Sequence, residues 1–322
     1  MTPERVAIIW GGGLGDVLVI RPLLEAACQP GWPAPLYMTR VHEGLDPLSA
    51  MGLPIPLLRL PAAPIAALRA VRRAGHFDRV YWGPHNTWRS RWLVRAVAAD
   101  RSGPFHRARE PRFLADAIAR DVVQMGWAET PPPSYGSLPL FPAPVDGIDR
   151  EPSAEPYLVA HPGCKIGWQT TAWPFTEWRI LLKTLAGVGW RIRLVGSPNE
   201  YEGLNALAQS LSIPHRMSVH TEWPLWQLER VIARATGIIC HNSGIMHLAL
   251  AYRRRTIVLT GSSAPYWRAS YEWVRNLSSG DCNLACNRYR CPVPGYHARC
   301  IRNLEVRSVL TACQEHWGEA PG

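Results

Sequence analysis

Lysine is nearly absent from this chain. Among 322 residues only Lys165 and Lys183 carry an ammonium group, so the net charge of +10 rests on arginine. Arginine bias also follows from a GC-rich genome, and the charge alone selects no partner. It is compatible with the face of an anionic membrane or with an acidic glycolipid. No apolar run reaches the roughly 20 residues that a membrane-spanning helix needs. The first residues lack the basic-then-apolar pattern of an export signal, and a cytoplasmic protein is expected. Zinc-finger histidine pairs, a basic zipper and aromatic RNA-binding motifs are all missing, so nucleic acid is not an expected partner.

Paired cysteine knuckles are missing too. Four of the eight cysteines are scattered, at Cys28, Cys164, Cys240 and Cys313. The other four, Cys282, Cys286, Cys291 and Cys300, cluster with intervals of three, four and eight residues. Without an export signal a disulfide framework is not expected. The cluster could hold a structural zinc or iron ion, or be free loop thiols.

What is present is a strand–loop–helix pattern, repeated. The apolar run Thr236-Gly237-Ile238-Ile239-Cys240 leads into His241-Asn242-Ser243-Gly244 and then the apolar stretch from Ile245 to Ala251. Free backbone N–H groups at such a helix start attract anions, phosphate above all. Ser243 is placed to cap the helix, and Gly244 to let a ligand approach the backbone. An ordinary turn is the competing reading. Val6–Trp10, Gly11-Gly12-Gly13-Leu14-Gly15-Asp16 and an apolar helix from Val17 repeat the pattern near the start. The crowded glycines do not form the dinucleotide fingerprint, and Asp16 stands where a phosphate would want no negative charge. An acid there suits proton abstraction, or simply stabilises the helix start.

Two halves are expected, 1–145 and 146–322, divided by the proline-rich stretch 130–156. Prolines neither donate to a ladder nor continue a helix, so that stretch reads as a linker. In the first half strands are expected at 6–10, 35–39 and 79–82, with helices at 17–28, 65–74, 87–98 and 111–126. The second half restarts with strands at 156–161, 191–196, 236–240 and 256–261, and helices at 176–187, 200–211, 224–235 and 304–317, besides the helix opening at Gly244. Alternation of this kind predicts an α/β protein of two doubly wound parallel sheets. Ligands in such sheets bind beyond the carboxyl ends of the strands, where both glycine loops lie, so a cleft with one loop on each wall is expected.

Three segments together resemble the heptosyltransferase-type glycosyltransferases, glycosyltransferase family nine: Ile8 to Val17; Val159-Ala160-His161-Pro162-Gly163-Cys164 leading to Trp173-Pro174 and Trp178; and Asn242 to Ala249. The resemblance implies a GT-B fold of two Rossmann-like domains, the first binding the acceptor and the second the nucleotide-sugar. It implies inverting transfer of a heptose-like sugar, typically from ADP-heptose, to an acidic glycan or lipopolysaccharide core at the inner membrane, where peripheral contact is expected, with no cofactor required for catalysis. A transferase acting on protein or a secondary metabolite, and a catalytically weak nucleotide-sugar binding protein, are the alternatives.

On that reading Asp16 is the general base. Gly12, Gly13, Gly15 and Trp10 face the acceptor. His161, Gly163, Lys165, Glu200, Asn242, Ser243, Gly244 and His247 face the donor. Each has a plainer alternative: a core histidine for His247, a helix-start carboxylate for Glu200, a solvated loop residue for Lys165. The chain departs from the family at three places. Trp10 and Asn242 replace a usual basic residue and a usual aspartate, and Thr170, Thr171 and Ala172 stand where a cation is usual before Trp173. Arginines gather at Arg69, Arg72 and Arg73, at Arg89, Arg91 and Arg95, and at Arg107, Arg109 and Arg112, suited to an acidic acceptor or forming a solvated face. Trp10, Trp82 and Trp88 are candidates to stack on sugar rings.

Overall fold

The computed structural model describes residues 5–29, 35–39, 46–83, 88–100, 113–143, 155–163, 172–213, 215–261, 267–281, 286, 290–295 and 297–320. The chain divides into two compact units, Met1–Pro142 and Ala143–Gly322.

Unit 1 runs β1 (Val6–Ile9), α1 (Leu14–Ala27), β2 (Leu36–Thr39), α2 (Pro47–Ala50), β3 (Leu57–Arg59), α3 (Pro64–Arg73), β4 (Phe77–Trp82), α4 (Trp88–Val97), β5 (Ala98–Asp100) and α5 (Leu114–Gln124). The five strands are parallel in the order β3-β2-β1-β4-β5. β1 is central, and its four apolar residues are all buried, as a strand covered on both faces requires. Ala7, Ile9, Val80 and Trp82 meet Val71 of α3 and Val94 of α4 in one cluster. The alternate residues point to the other face, where α1 packs on α5 and Tyr81 meets Trp127 edge-on at 5.2 Å.

The proline-rich stretch is not a free linker up to Phe141. Leu140 and Phe141 are buried. Arg21 of α1 donates to the carbonyls of Leu140 and of Pro139 (3.1 Å for the latter) and pairs with Glu25 at 2.6 Å. Glu25 in turn accepts the Ser137 N–H at 2.9 Å. The physical reason is that the buried Arg21 guanidinium needs several acceptors at once, and backbone carbonyls freed by the prolines supply them.

Unit 2 runs β6 (Tyr157–His161), α6 (Phe175–Gly187), β7 (Arg191–Val195), a 3-10 turn (Pro198–Glu200), α7 (Tyr201–Gln209), β8 (Met217–His220), α8 (Leu225–Arg234), β9 (Gly237–His241), α9 (Gly244–Ala251), β10 (Thr256–Leu259), β11 (Val274–Leu277), α10 (Arg299–Arg302) and α11 (Val306–Trp317). Its six parallel strands take the order β11-β10-β9-β6-β7-β8. The order reverses between β6 and β9, and a crevice opens beyond the carboxyl ends of strands at such a point. Trp173, Trp178, Leu181, Leu185, Val309 and Trp317 pack one side of this sheet.

The connection from β6 to α6 is clasped by one side chain. His241, fully buried at the end of β9, accepts the Trp173 N–H on Nε2 at 3.0 Å. Its Nδ1–H donates to the Gly163 carbonyl, also at 3.0 Å. Those partners fix a single neutral tautomer. Trp178 closes the back of the ring edge-on at 5.6 Å, with Trp173 5.4 Å from Trp178. Burial pulls His241 down to about 4, despite the Gly163 carbonyl that favours its N–H. Burial likewise takes His247, inside α9 against Trp267, down to about 3.

Two predictions concern stability. Arg21→Met strands the Leu140 and Pro139 carbonyls and half of an ion pair, and should cost about 3 kcal/mol. The measurement is the urea midpoint, with an unchanged midpoint counting against the strap. Acidification provides the second. Between their folded and unfolded pKa values, His241 and His247 are protonated only in the unfolded chain, so stability must fall as pH drops from about 6.5 towards 4. Each pH unit removes about 1.4 kcal/mol per histidine. Urea midpoints measured across that window should fall less steeply for His241→Gln, and an unaltered slope would show that this ring is not neutral in the fold.

Candidate functional site

The reversal point of unit 2 brings together residues more than eighty positions apart. β6 ends on His161, and β9 ends on His241, followed by Asn242, Ser243 and the start of α9. Ser243 holds the N-cap position, but its hydroxyl does not cap the helix. It lies 3.1 Å from His161 Nδ1 instead. On the far side His161 Nε2 is 3.5 Å from Glu200 Oε1. Glu200 also accepts the Ser197 N–H at 2.7 Å and the Ser197 hydroxyl at 2.8 Å. Burial alone would raise the Glu200 pKa, yet the hydrogen bond and charge of His161, with the two Ser197 donors, bring it down to about 2. Glu200 is therefore an anion facing His161 Nε2, and the imidazole ring links that carboxylate to the Ser243 hydroxyl beside its Nδ1.

This chain runs across Gly163. A Cβ built on Gly163 would fall onto the Glu200 carboxylate and 2.9 Å from His161 Nε2. The glycine is thus demanded by a side chain crossing over it, and close approach of a ligand is a further use. Helix α9 adds unsatisfied N–H groups beside Ser243 and the positive end of its dipole. The helix start and the Ser243 hydroxyl suit a phosphate, and the Glu200 carboxylate suits a hydroxyl donor beside it.

Asn242 is explained by its donor. Its Nδ2 donates to the Trp267 carbonyl at 2.9 Å, a bond that the aspartate usual in the resembled family cannot make. His247 is 2 % exposed, which places it in the core rather than on the ligand side. Lys165, Thr170 and Thr171 lie outside the described residues. Sequence reasoning missed His241, His220 and Trp223. The last two stack at 3.7 Å with their planes 15° apart beyond the carboxyl end of β8. β8 was not expected from the sequence, so nothing marked its end as part of a site.

In unit 1 the glycine loop follows β1, and Gly13 is the N-cap of α1. The helix starts at Leu14, not Val17, so Gly15 and Asp16 sit in its first turn. A Cβ on Gly11 would overlap the Asp16 carboxyl group, and one on Gly13 would come within 3.1 Å of Asp16 Oδ2. The carboxyl group is folded back over the loop, and Gly11, not singled out from sequence, makes that possible. Gly12 is half-buried beside them. Trp10 corrects an expectation. It is 4 % exposed, and its indole N–H donates to the Asp16 carbonyl at 3.0 Å. It braces the turn that carries Asp16 and presents no face to a sugar. Trp82 is likewise buried in the sheet cluster.

Three of the four clustered cysteines lie among the described residues. Cys286 and Cys291 are half-buried and Cys300 is buried, all as free thiols. Among the described residues no three His, Cys, Asp or Glu side chains gather as a metal site. Cys282 lies outside the described residues. Also among them, no helix is long and apolar enough to cross a membrane.

Comparison with known proteins adds the family. The model of glycosyltransferase family 9 (heptosyltransferase) matches residues 141–297. Lipopolysaccharide heptosyltransferase 1 of Pseudomonas aeruginosa is 30% identical over 199 residues, which cover 57% of this chain and 54% of that protein. The chain thus spans about half the length of that curated relative. Among solved structures, the family 9 glycosyl transferase of Veillonella parvula superposes with a TM-score of 0.68 at 15% identity, covering 98% of this chain and 97% of that one. ADP-heptose lps heptosyltransferase II of E. coli gives a TM-score of 0.62 at 18% identity, covering 97% and 98%. Residues 141–297 thus match glycosyltransferase family 9, the heptosyltransferase family, and the two parallel-sheet units have the GT-B fold of the solved heptosyltransferases.

Proposed function

We propose that the protein is an inverting glycosyltransferase that moves a heptose-like sugar from a nucleotide-sugar of the ADP-heptose type to a hydroxyl of a lipopolysaccharide core or related bacterial glycan. The observation that carries this reading is the Ser243–His161–Glu200 chain at the reversal point of unit 2, inside the family match. Unit 2 is read as the donor-binding domain and unit 1 as the acceptor-binding domain.

The proposed chemistry needs no metal. Asp16 takes the proton of the acceptor hydroxyl while that oxygen bonds to the anomeric carbon. The bond from that carbon to the diphosphate breaks on the opposite face, which inverts the centre. Negative charge then grows on the leaving diphosphate, where the α9 N–H groups, the Ser243 hydroxyl and the helix dipole oppose it. Glu200 is suited to ribose hydroxyls, and the stacked His220–Trp223 pair offers a flat surface to a base.

Three measurements test the reading. Melting-temperature shifts across a panel of nucleotide-sugars should single out ADP-linked sugars, because a ligand bound only by the folded state raises stability with the logarithm of its concentration over Kd. Silence across the whole panel would remove donor binding. Asp16→Asn should lower transfer by about 10²- to 10⁴-fold with ADP binding unchanged by calorimetry. If that variant binds donor yet transfers at the wild-type rate, the base lies elsewhere. Gly163→Ala should drive Glu200 from His161 and weaken ADP binding by about tenfold or more, equivalent to 1.4 kcal/mol. Gly187→Ala is the matched control, since a Cβ there meets nothing within 4 Å. Equal ADP affinity in both variants would separate the Glu200 pair from the donor site.

A further inference from the structure

We propose that the outer face of α3 and α4 is a docking surface for an anionic phospholipid bilayer. Ile65, Arg69, Arg72 and Arg73 recur at intervals of four, three and one along α3, so they form one stripe about 12 Å long. All four are exposed, with Ile65 at 69%. Ala67 and Val71 of the same helix are buried, with Val71 and Ala74 packed on the sheet cluster. α4 packs beside α3. It turns Leu93, Val94 and Ala96 to the cluster and leaves Trp92, 60% exposed, and Arg95 on the outside.

Charge selects the occupant. Residues 61–97 contain seven arginines and a single acid, Asp78. That acid is engaged by the Arg5 N–H at 2.7 Å. A helix face that serves only solubility interleaves both signs and avoids large apolar residues. Here the exposed Arg69, Arg72, Arg73 and Arg95 accompany an exposed isoleucine and tryptophan. The exposed Pro61-Ala62-Ala63-Pro64 segment leads straight into the stripe. Guanidinium groups pair with lipid phosphates, an indole settles at headgroup depth, and an aliphatic side chain enters the acyl boundary. A soluble polyanion would use the arginines but would gain nothing from Ile65 and Trp92. The surface deepens the sugar-transfer reading, whose lipid-linked acceptor lies at a membrane, but none of its residues belongs to either candidate loop.

Co-sedimentation of the full chain with vesicles tests the proposal. Phosphatidylcholine vesicles containing phosphatidylglycerol should retain the protein, and pure phosphatidylcholine vesicles should hold far less. Each arginine near an anionic surface contributes about a fivefold gain, so replacing Arg69, Arg72 and Arg73 by Gln should weaken retention about 100-fold. Ile65→Ser with Trp92→Ala should also weaken it, at unchanged melting temperature. Equal retention on both vesicle types, or no loss in the triple variant, overturns the docking surface. Loss in the arginine variant alone, with heparin competing fully, assigns the face to a soluble polyanion and also overturns it. ADP-sugar binding is measured in parallel. Retained donor binding with absent vesicle binding sinks this inference and leaves the proposed function standing.

Discussion

A ring that must stay uncharged holds the β6–β9 crevice of unit 2 together. His241 can accept from Trp173 and donate to Gly163 only as one neutral tautomer, and its burial against Trp178 enforces that state. Gly163 then lies where Glu200 can cross it to reach His161, and His161 lies where Ser243 can reach its other nitrogen. Polar networks inside a low-dielectric core specify one arrangement when every member is satisfied, and they fail together when one is not. This network has that character, because each partner is supplied by a different strand end or turn.

The central strands of both sheets were legible in the sequence, and the strands missed were all at the edges: β3 and β5 in unit 1, β8 and β11 in unit 2. Val6–Ile9 and Gly237–His241 are buried throughout and read as continuous apolar runs. Leu57–Arg59, Met217–His220 and Val274–Leu277 are short and partly exposed, and polar residues occupy half their length or less. Nothing in their local pattern separates them from loops. Only the neighbouring strand supplies the missing half of their hydrogen bonds.

The site was legible where geometry follows from chain order and opaque where it follows from side-chain direction. Position relative to a strand end singled out Asp16, His161, Glu200 and Ser243, and the structure brings the last three into one chain of contacts. It could not say that the Ser243 hydroxyl turns from its own helix to His161, or that Trp10 turns inward to brace the Asp16 carbonyl. Gly163 was expected to face the donor and Gly11 went unremarked, yet each makes room for a carboxylate of this chain. Asn242 looked like a weakened aspartate, but it donates to Trp267.

The strap on α1 matters to anyone who wishes to re-engineer the connection between the units. Arg21 and Glu25 stand two to three turns along the same rod that bears Asp16, and they grip residues 137–140. A spacer, cleavage site or circular break inserted among the prolines at 131–142 would peel backbone from that rod. A cut kept clear of residues 137–140 leaves that grip whole.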